Sequence, residues 1–164
     1  MVDDTNPFNK STSASGETKP TKKDTGPLRR SQIPQNATIL VVEDNVANFV
    51  LIARMLGYMG IHCEWKTSGY EVVEYADTLP NVELVLMDIR LPYEDGYEAL
   101  RKLRASERFQ QTPVVAVTAY ASDEQMARAK LAGFDGFLGK PLDPDRFPLQ
   151  IRRILDGEQV WEVE

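Results

Sequence analysis

Unbroken apolar runs recur along the chain from Ile39 onward. They are ILVV at 39–42, LVLM at 84–87, VVAV at 114–117 and a shorter GFL around Phe137. Parallel strands that are buried on both faces have continuous apolar runs rather than alternating ones. A fifth segment, IHCEW at 61–65, mixes polar and apolar residues, as expected of a strand nearer a sheet edge. Together these segments predict five strands.

Stretches with helical spacing lie between and after these strands. The first carries apolar residues at i, i+3, i+4 and i+7 spacing, namely Val46, Phe49, Val50, Ala53 and Leu56. Two capping boxes, SGYE at 68–71 and SDEQ at 122–125, are predicted to open the second and fourth helices. The third helix is expected from about Gly96 to Ser106, and the fifth from near Pro148. Strict alternation of strand and helix predicts an α/β sheet with helices on both faces.

Composition separates an N-terminal tail from this patterned region. Residues 1–36 consist mainly of Ser, Thr, Lys, Pro and Gly, and such a segment cannot bury enough apolar surface to offset its ordering entropy. We therefore predict a disordered tail over 1–36, a folded domain over 37–157 and a short C-terminal tail over 158–164. A plain solvated extension is favoured over a basic segment that recruits a partner.

Charge and cysteine content narrow the function class. The tail holds six basic and four acidic residues, a net charge of +2, so the rest of the chain carries −8 within the total of −6. An acidic domain is poorly suited to direct nucleic-acid binding, because phosphate contacts dominate such affinity. No apolar run approaches the roughly 18 residues of a membrane span, and the N-terminus lacks the apolar core of a secretory signal. With a single cysteine, Cys63, a cytoplasmic location is expected.

Polar residues end four of the predicted strands. They are Glu43 and Asp44 after the first, Asp88 after the third, Thr118 at the end of the fourth and Lys140 after the fifth. Ligands of open parallel sheets bind at the carboxyl ends of the strands, so these groups are expected to converge in one pocket. Each residue alone has an ordinary explanation as a turn, cap or surface residue. Their coincidence at one sheet edge favours a shared chemistry.

Phosphoryl transfer is a chemistry that these groups could carry out together. Three converging carboxylates repel one another and call for a hard cation, which favours Mg²⁺. Beside a metal ion and a lysine, the central carboxylate of Asp88 could attack phosphorus as a nucleophile. The metal ion would bind one phosphoryl oxygen and Lys140 another, while the Thr118 hydroxyl and the Ala119 backbone amide bind a third.

Four motifs resemble those of a known family. The motifs VVEDN at 41–45, LMDIRLPYEDGYE at 86–98, VTAYA at 117–121 and FLGKP at 137–141 are similar to those of the receiver domain of two-component response regulators. The resemblance covers about residues 38–155. It implies a flavodoxin-like (βα)5 doubly wound parallel sheet of strand order 2-1-3-4-5, the order of the family's chemotaxis member.

The resemblance assigns roles to the predicted site. It implies that Asp88 accepts a phosphoryl group from a histidine kinase or a histidine phosphotransfer protein. It also implies Mg²⁺ held by Asp44, Asp88 and the backbone carbonyl of Arg90, with Glu43 acting largely through water. Arg90 and Tyr120 occupy the positions that tune the lifetime of the acyl phosphate, and the bulk of Tyr120 predicts slow hydrolysis.

Signal output is expected to follow from two further positions. By resemblance, Thr118 moves toward the phosphate and the aromatic switch residue, here Phe137, swings inward. This change would alter a surface made by the fourth helix, fifth strand and fifth helix, which binds a downstream protein and could serve a homodimer. Only nine residues follow Leu155, so the sequence leads us to expect a single-domain response regulator without an output domain.

Several other functions are compatible with parts of this pattern. A phosphorelay intermediate and an unphosphorylated pseudo-receiver scaffold stay open as alternatives. The protein is not expected to be an enzyme, beyond catalysing its own phosphorylation and dephosphorylation. A phosphatase of the haloacid dehalogenase type needs a second Asp where Arg90 stands, and a nucleotide-binding protein needs a glycine-rich loop after its first strand. Two roles are open for Trp161: it could anchor a partner, or it could pack back on the domain.

Overall fold

The structure, a computed structural model, describes residues 36–163, so the predicted tail lies outside the described residues except for Asn36. Six strands and five helices alternate along this part of the chain. They are β1 (Thr38–Val42), α1 (Val46–Tyr58), β2 (His62–Lys66), α2 (Val72–Asp77), β3 (Val82–Met87), α3 (Gly96–Ala105), β4 (Val114–Thr118), α4 (Asp123–Ala132), β5 (Gly136–Gly139), α5 (Phe147–Leu155) and β6 (Trp161–Glu162). None of these helices is both long enough and apolar enough to cross a membrane.

The six strands form one sheet in the order β2-β1-β3-β4-β5-β6, and every neighbouring pair is parallel. The predicted order of the first five strands is confirmed. Val42 lies beside Met87, and Thr118 lies beside Gly139. The strands β1, β3, β4 and β5 therefore end at the same edge, and the residues that follow them are brought together.

Two apolar layers, one on each face of the sheet, bury the strands. Successive residues of β1 alternate between them, because side chains in a strand point to opposite faces. Ile39 and Val41 pack with α1 and α5, whereas Leu40 and Val42 pack with α2, α3 and α4. Helices on both faces were predicted and are confirmed. All five residues of β1 and β4 are buried, which explains why their apolar runs are unbroken.

The apolar face predicted for α1 is only partly correct. The residues it buries are Ile52, Met55 and Leu56, whereas Val46 is 59% exposed and Val50 is 40% exposed. Apolar residues occur over a wide arc of this helix, so more than one face satisfies i, i+3, i+4 spacing. Periodicity alone could not choose which of these faces meets the sheet.

One of the two predicted capping boxes is wrong. At 68–71, α2 begins only at Val72, and its N-cap residue Glu71 is left-handed, with φ of 54°, and makes no side-chain cap bond. A Cβ on Gly69 would lie 3.0 Å from both the Ala99 side chain and the Glu94 carbonyl. Close packing of this loop on the start of α3 therefore overrides local capping. The other box is confirmed, because the Ser122 side chain accepts a hydrogen bond from the Gln125 amide.

The chain continues in regular structure beyond the expected domain end at residue 157. Within the stretch expected to be a C-terminal tail, Trp161 and Glu162 form β6 along the outer edge of β5. The Phe137 amide donates to the Val160 carbonyl at 2.8 Å. Of the two alternatives for Trp161, the structure has the residue packed back on the domain. A strand of two residues carries no periodicity, so it could not be recognised from the sequence.

Candidate functional site

Three carboxylates meet at the carboxyl ends of β1 and β3. Glu43 and Asp44 directly follow β1, and Asp88 directly follows β3; Glu43 and Asp88 are buried and Asp44 is exposed. The Asp88 amide donates to the Val42 carbonyl at 2.9 Å, which ties the end of one strand to the other. Each residue offers an oxygen within 4.8 Å of the others. The predicted convergence of these acids is present.

Lys140, which follows β5, reaches into this acidic cluster. Its Nζ lies 2.6 Å from Glu43 Oε2 and 2.9 Å from Asp88 Oδ2, and all three side chains are largely buried. The Lys140 amide donates to the Thr118 carbonyl at 2.9 Å, which fixes the residue to the end of β4. One ammonium against three carboxylates leaves a formal charge of −2 when all four groups are ionised. The cluster therefore favours an additional cation.

Burial and charge act in opposite directions on the two central groups. Burial raises the pKa of Asp88, and the Lys140 ammonium and the Arg90 amide offset this only in part. For Lys140, burial alone would lower the pKa, but its hydrogen bonds to Glu43 and Asp88 raise it above the ordinary value. Lys140 is thus held in its charged form beside the carboxylate that the sequence predicts to be reactive.

Glu43 is held in place by residues that were not predicted from the sequence. The Asn45 amide donates to Glu43 Oε1 at 3.2 Å, and Asn48 Nδ2 donates to the same oxygen at 3.3 Å. The Trp65 indole donates to the Glu43 carbonyl at 2.7 Å and stacks on Phe49. Asn48 stands among apolar positions of α1, which was an available signal. Trp65 lies on β2, and its contact gave no local signal.

The loops after β3 and β4 meet in a stack of two side chains. The Arg90 guanidinium lies 3.2 Å from the centre of the Tyr120 ring. The Arg90 amide also donates to Asp88 Oδ1 at 3.1 Å, and the Tyr120 amide donates to Thr118 Oγ1 at 3.2 Å. The stack therefore stands directly beside Asp88 and Thr118. Ala119, between Thr118 and Tyr120, lines an open cavity that Lys140 also lines.

Gly96 is a further residue of the site that was not predicted from the sequence. A Cβ there would lie 2.5 Å from the Asp88 carbonyl oxygen and 2.8 Å from Ile89 Cα. Its amide donates to the Ile89 carbonyl at 2.7 Å. The start of α3 thus packs directly on the backbone of Asp88. Only glycine leaves room for this approach, which holds the carboxylate at the sheet edge.

Phe137 is placed away from these groups. Its side chain is fully buried in the apolar layer on the α2–α3–α4 face of the sheet. It lies on β5 three residues before Lys140, which directly follows the strand, with Ala116 of β4 on one side and Trp161 of β6 on the other. The site and Phe137 are therefore linked through β5.

The assembled groups suit acceptance of a phosphoryl group. A buried carboxylate with an adjacent ammonium can act as a nucleophile, and phosphoryl transfer needs mainly positioning and charge neutralisation. The donor set for a metal ion consists of carboxylate oxygens, which Mg²⁺ prefers. Within residues 36–163, these are the acids grouped closely enough to hold such an ion.

Comparison with known proteins agrees with this chemistry. A family model described as response regulator receiver domain matches residues 39–152. The chain is 37% identical over 123 residues to the signal transduction histidine-protein kinase BarA of Escherichia coli K12, with 75% of this chain and 13% of BarA covered. It therefore spans a small part of that relative. It is also 31% identical over 118 residues to the polar-differentiation response regulator DivK of Brucella ovis, with 72% of this chain and 95% of DivK covered.

Two solved structures are similar to the present one. The receiver domain of the sensor histidine kinase PA1611 from Pseudomonas aeruginosa, solved with a magnesium ion in its active site cleft, has 34% identity and a TM-score of 0.63, covering 73% of this chain and 93% of its own. Chemotaxis protein CheY4 of Vibrio cholerae has 24% identity and a TM-score of 0.66, covering 72% of this chain and 98% of its own. The second likeness concerns the fold alone.

Proposed function

The chain belongs to the family of response regulator receiver domains, and we propose that Asp88 is its phosphoacceptor. The group would come from a phosphohistidine on a histidine kinase or a histidine phosphotransfer protein. The observation that carries the proposal is the buried contact of 2.9 Å between Asp88 and Lys140, set beside Glu43 and Asp44. No other group of acids in the described part of the chain combines these features.

The transfer exchanges one bond to phosphorus for another. An Asp88 carboxylate oxygen forms a P–O bond as the P–N bond of the phosphohistidine breaks, and the imidazole leaves with the bonding pair and is reprotonated by solvent. Lys140 contacts Asp88 Oδ2, so its ammonium is placed to bind a phosphoryl oxygen as negative charge develops there. Thr118 Oγ1 and the Ala119 amide would bind another oxygen.

Mg²⁺ fits this site by the chemistry of its oxygen donors. We assign it to Asp44, Asp88 and the backbone carbonyl of Arg90, with Glu43 acting through water. When bound, it would neutralise charge on the phosphoryl oxygens. The magnesium ion in the cleft of the PA1611 receiver domain supports this assignment. Glu43 is held by Asn48 and Lys140, which suits an indirect role.

Signal output is proposed to begin at Thr118 and Phe137 and to reach the surface formed by α4, β5 and α5. A downstream protein, or a second copy of the chain, would bind there. Exposed apolar side chains on this surface, Leu131 of α4 and Leu149 of α5, support a role in binding. Transfer of the group onward in a phosphorelay is the alternative use of the same site.

The test is intact mass spectrometry of wild type and Asp88→Asn after incubation with acetyl phosphate and Mg²⁺. We expect a gain of about 80 Da, one phosphoryl group, in wild type alone. The gain should disappear when Mg²⁺ is removed with a chelator. An equal gain in Asp88→Asn would assign the chemistry to another residue. No gain in wild type, with Mg²⁺ binding confirmed, would instead support an unphosphorylated scaffold.

A further inference from the structure

The outer edge of β5 is covered by the chain's own C-terminal segment. Residues 160–163, here called the C-terminal clamp, include β6 and run parallel to β5. The Phe137 amide donates to the Val160 carbonyl, and Phe137 and Leu138 stand opposite Trp161 and Glu162. A sixth strand is thus added to the five of the receiver order. It lies beside β5, the strand that carries Phe137 and leads to Lys140.

Two glycines of β5 make this close approach feasible. A Cβ on Gly136 would lie 2.7 Å from the Val160 carbonyl oxygen. A Cβ on Gly139 would overlap the Val163 carbonyl oxygen and lie 2.8 Å from Ala121 Cβ. Both glycines have ordinary backbone angles, so conformational freedom does not require them. The requirement comes from the backbone of the C-terminal clamp.

Side chains of both neighbouring helices hold the clamp in place. Glu162 accepts hydrogen bonds from Arg146 at 2.9 Å, from Arg153 at 3.3 Å and from Gln150, all on or beside α5. On the other face, Lys130 of α4 lies 4.7 Å from the centre of the Trp161 ring. The clamp therefore connects α4, β5 and α5, the three elements of the proposed output surface.

The clamp also closes the space outside Phe137. Residues opposite each other in neighbouring parallel strands point to the same face, so the Trp161 side chain stands beside that of Phe137, on its outer side. Both belong to the same apolar layer, and Phe137 is fully buried. Trp161 and the segment around it therefore fill the space on the outer side of Phe137 and oppose its movement in that direction.

We propose that the C-terminal clamp holds Phe137 in its buried position and thereby couples the C-terminal segment to phosphorylation of Asp88. This inference rests on the proposed function, in which the inward position of Phe137 accompanies the phosphorylated state. Docking of the clamp and phosphorylation then favour the same state. By linkage, each strengthens the other by the same factor. Loss of the clamp should weaken binding of a phosphoryl analogue about fivefold or more, at the lower end of usual coupling.

The first arm of the test follows Phe137 itself. The protein is labelled with 4-fluorophenylalanine, and the Phe137 signal is assigned by its loss in Phe137→Leu. In a chain ended after Gly157, and in Trp161→Ala, the Phe137 signal should shift and become sensitive to H₂O/D₂O exchange. Trp161→Phe keeps an aromatic ring and should retain most of the wild-type signal. Tyr58→Ala, which removes an exposed aromatic ring at the end of α1 and lies outside both the clamp and the proposed output surface, is the matched control. An unchanged Phe137 signal in both clamp variants would overturn the proposal.

The second arm measures the affinity of the same proteins for beryllofluoride in the presence of Mg²⁺. We expect weaker binding in the shortened chain and in Trp161→Ala, and wild-type binding in Tyr58→Ala. Equal or tighter binding without the clamp would overturn the coupling. If wild type gains no phosphoryl group and binds no beryllofluoride, the proposed function fails and the coupling fails with it. The fluorine signal would still decide, separately, whether the clamp holds Phe137.

Discussion

Replacement of Tyr120 by alanine should shorten the lifetime of phosphorylated Asp88. The Arg90–Tyr120 stack stands beside Asp88, at the loops through which water would approach the acyl phosphate. Tyr120 is 51% exposed, so the stack is only half withdrawn from solvent. A cation–π contact at such a site stabilises by about 0.5–1 kcal/mol. If water enters only when the stack opens, removal of the contact lowers the hydrolysis barrier by that amount.

This barrier change corresponds to hydrolysis about 2- to 5-fold faster, since 1.36 kcal/mol is a factor of ten. The assay follows decay of the added mass of about 80 Da after acetyl phosphate is removed. Wild type should keep its phosphoryl group well beyond seconds, and decay within seconds would contradict the reasoning from the start. An unchanged or slower rate in Tyr120→Ala would also refute it.

A double-mutant cycle separates the stack from the individual residues. Arg90→Ala removes the same contact from the other side and leaves the Arg90 backbone carbonyl in place. If both residues act through the stack, Arg90→Ala combined with Tyr120→Ala should decay no faster than either single variant. Rates that multiply would mean that the two side chains act independently. Tyr120→Phe, which keeps the ring, is the conservative control and should decay at nearly the wild-type rate.

Three other outcomes are expected. Lys140→Met leaves Glu43 and Asp88 buried without their cation, so it should destabilise the metal-free protein by roughly 3 kcal/mol. The melting temperature of this variant should also depend more on Mg²⁺ than that of wild type, and equal melting curves would contradict this. Hydrogen bonds from Gln150 and two arginines hold the pKa of Glu162 below its ordinary value of 4.5, so its contribution is present above that pH and is lost as pH falls through the lowered value. Hydrogen exchange of the amides at 160–163 is measured against pH and corrected for intrinsic rates. It should accelerate in wild type as pH falls through the lowered pKa of Glu162, but not in E162Q. Gly96→Ala should destabilise the protein by roughly 1–3 kcal/mol through overpacking on Asp88, and denaturant unfolding that shows no loss would mean that α3 can shift away at little cost.

The sequence could predict the elements whose pattern is local. Strands such as β1 and β4 are buried throughout, so their apolar runs needed no knowledge of their neighbours. The convergence of the acids and Lys140 could be predicted as well, because these residues stand directly at strand ends. The contact of Trp65 with Glu43 could not be predicted in this way, since it joins residues 22 positions apart across two strands. The buried face of α1 was predicted only in part and the N-cap of α2 was predicted wrongly for the same reason. In both cases, packing partners that are distant in sequence determine the structure.

Strand β5 explains why the site and the C-terminal clamp belong to one mechanism. Phe137 of β5 donates a hydrogen bond from its amide to the clamp, and Lys140, which directly follows β5, donates one from its ammonium to Asp88. Gly139 lies between them, and the backbone of Val163 packs closely against it on the outer side of the strand. The Lys140 amide donates a hydrogen bond to the Thr118 carbonyl of β4. Strand β5 is therefore held by the site at its end and by the clamp along its outer edge. A packed strand has few positions available to it, and a change at either boundary must therefore be accommodated at the other. Coupling between the clamp and Asp88 thus requires no domain motion, only a change in how β5 sits between Thr118 and Trp161.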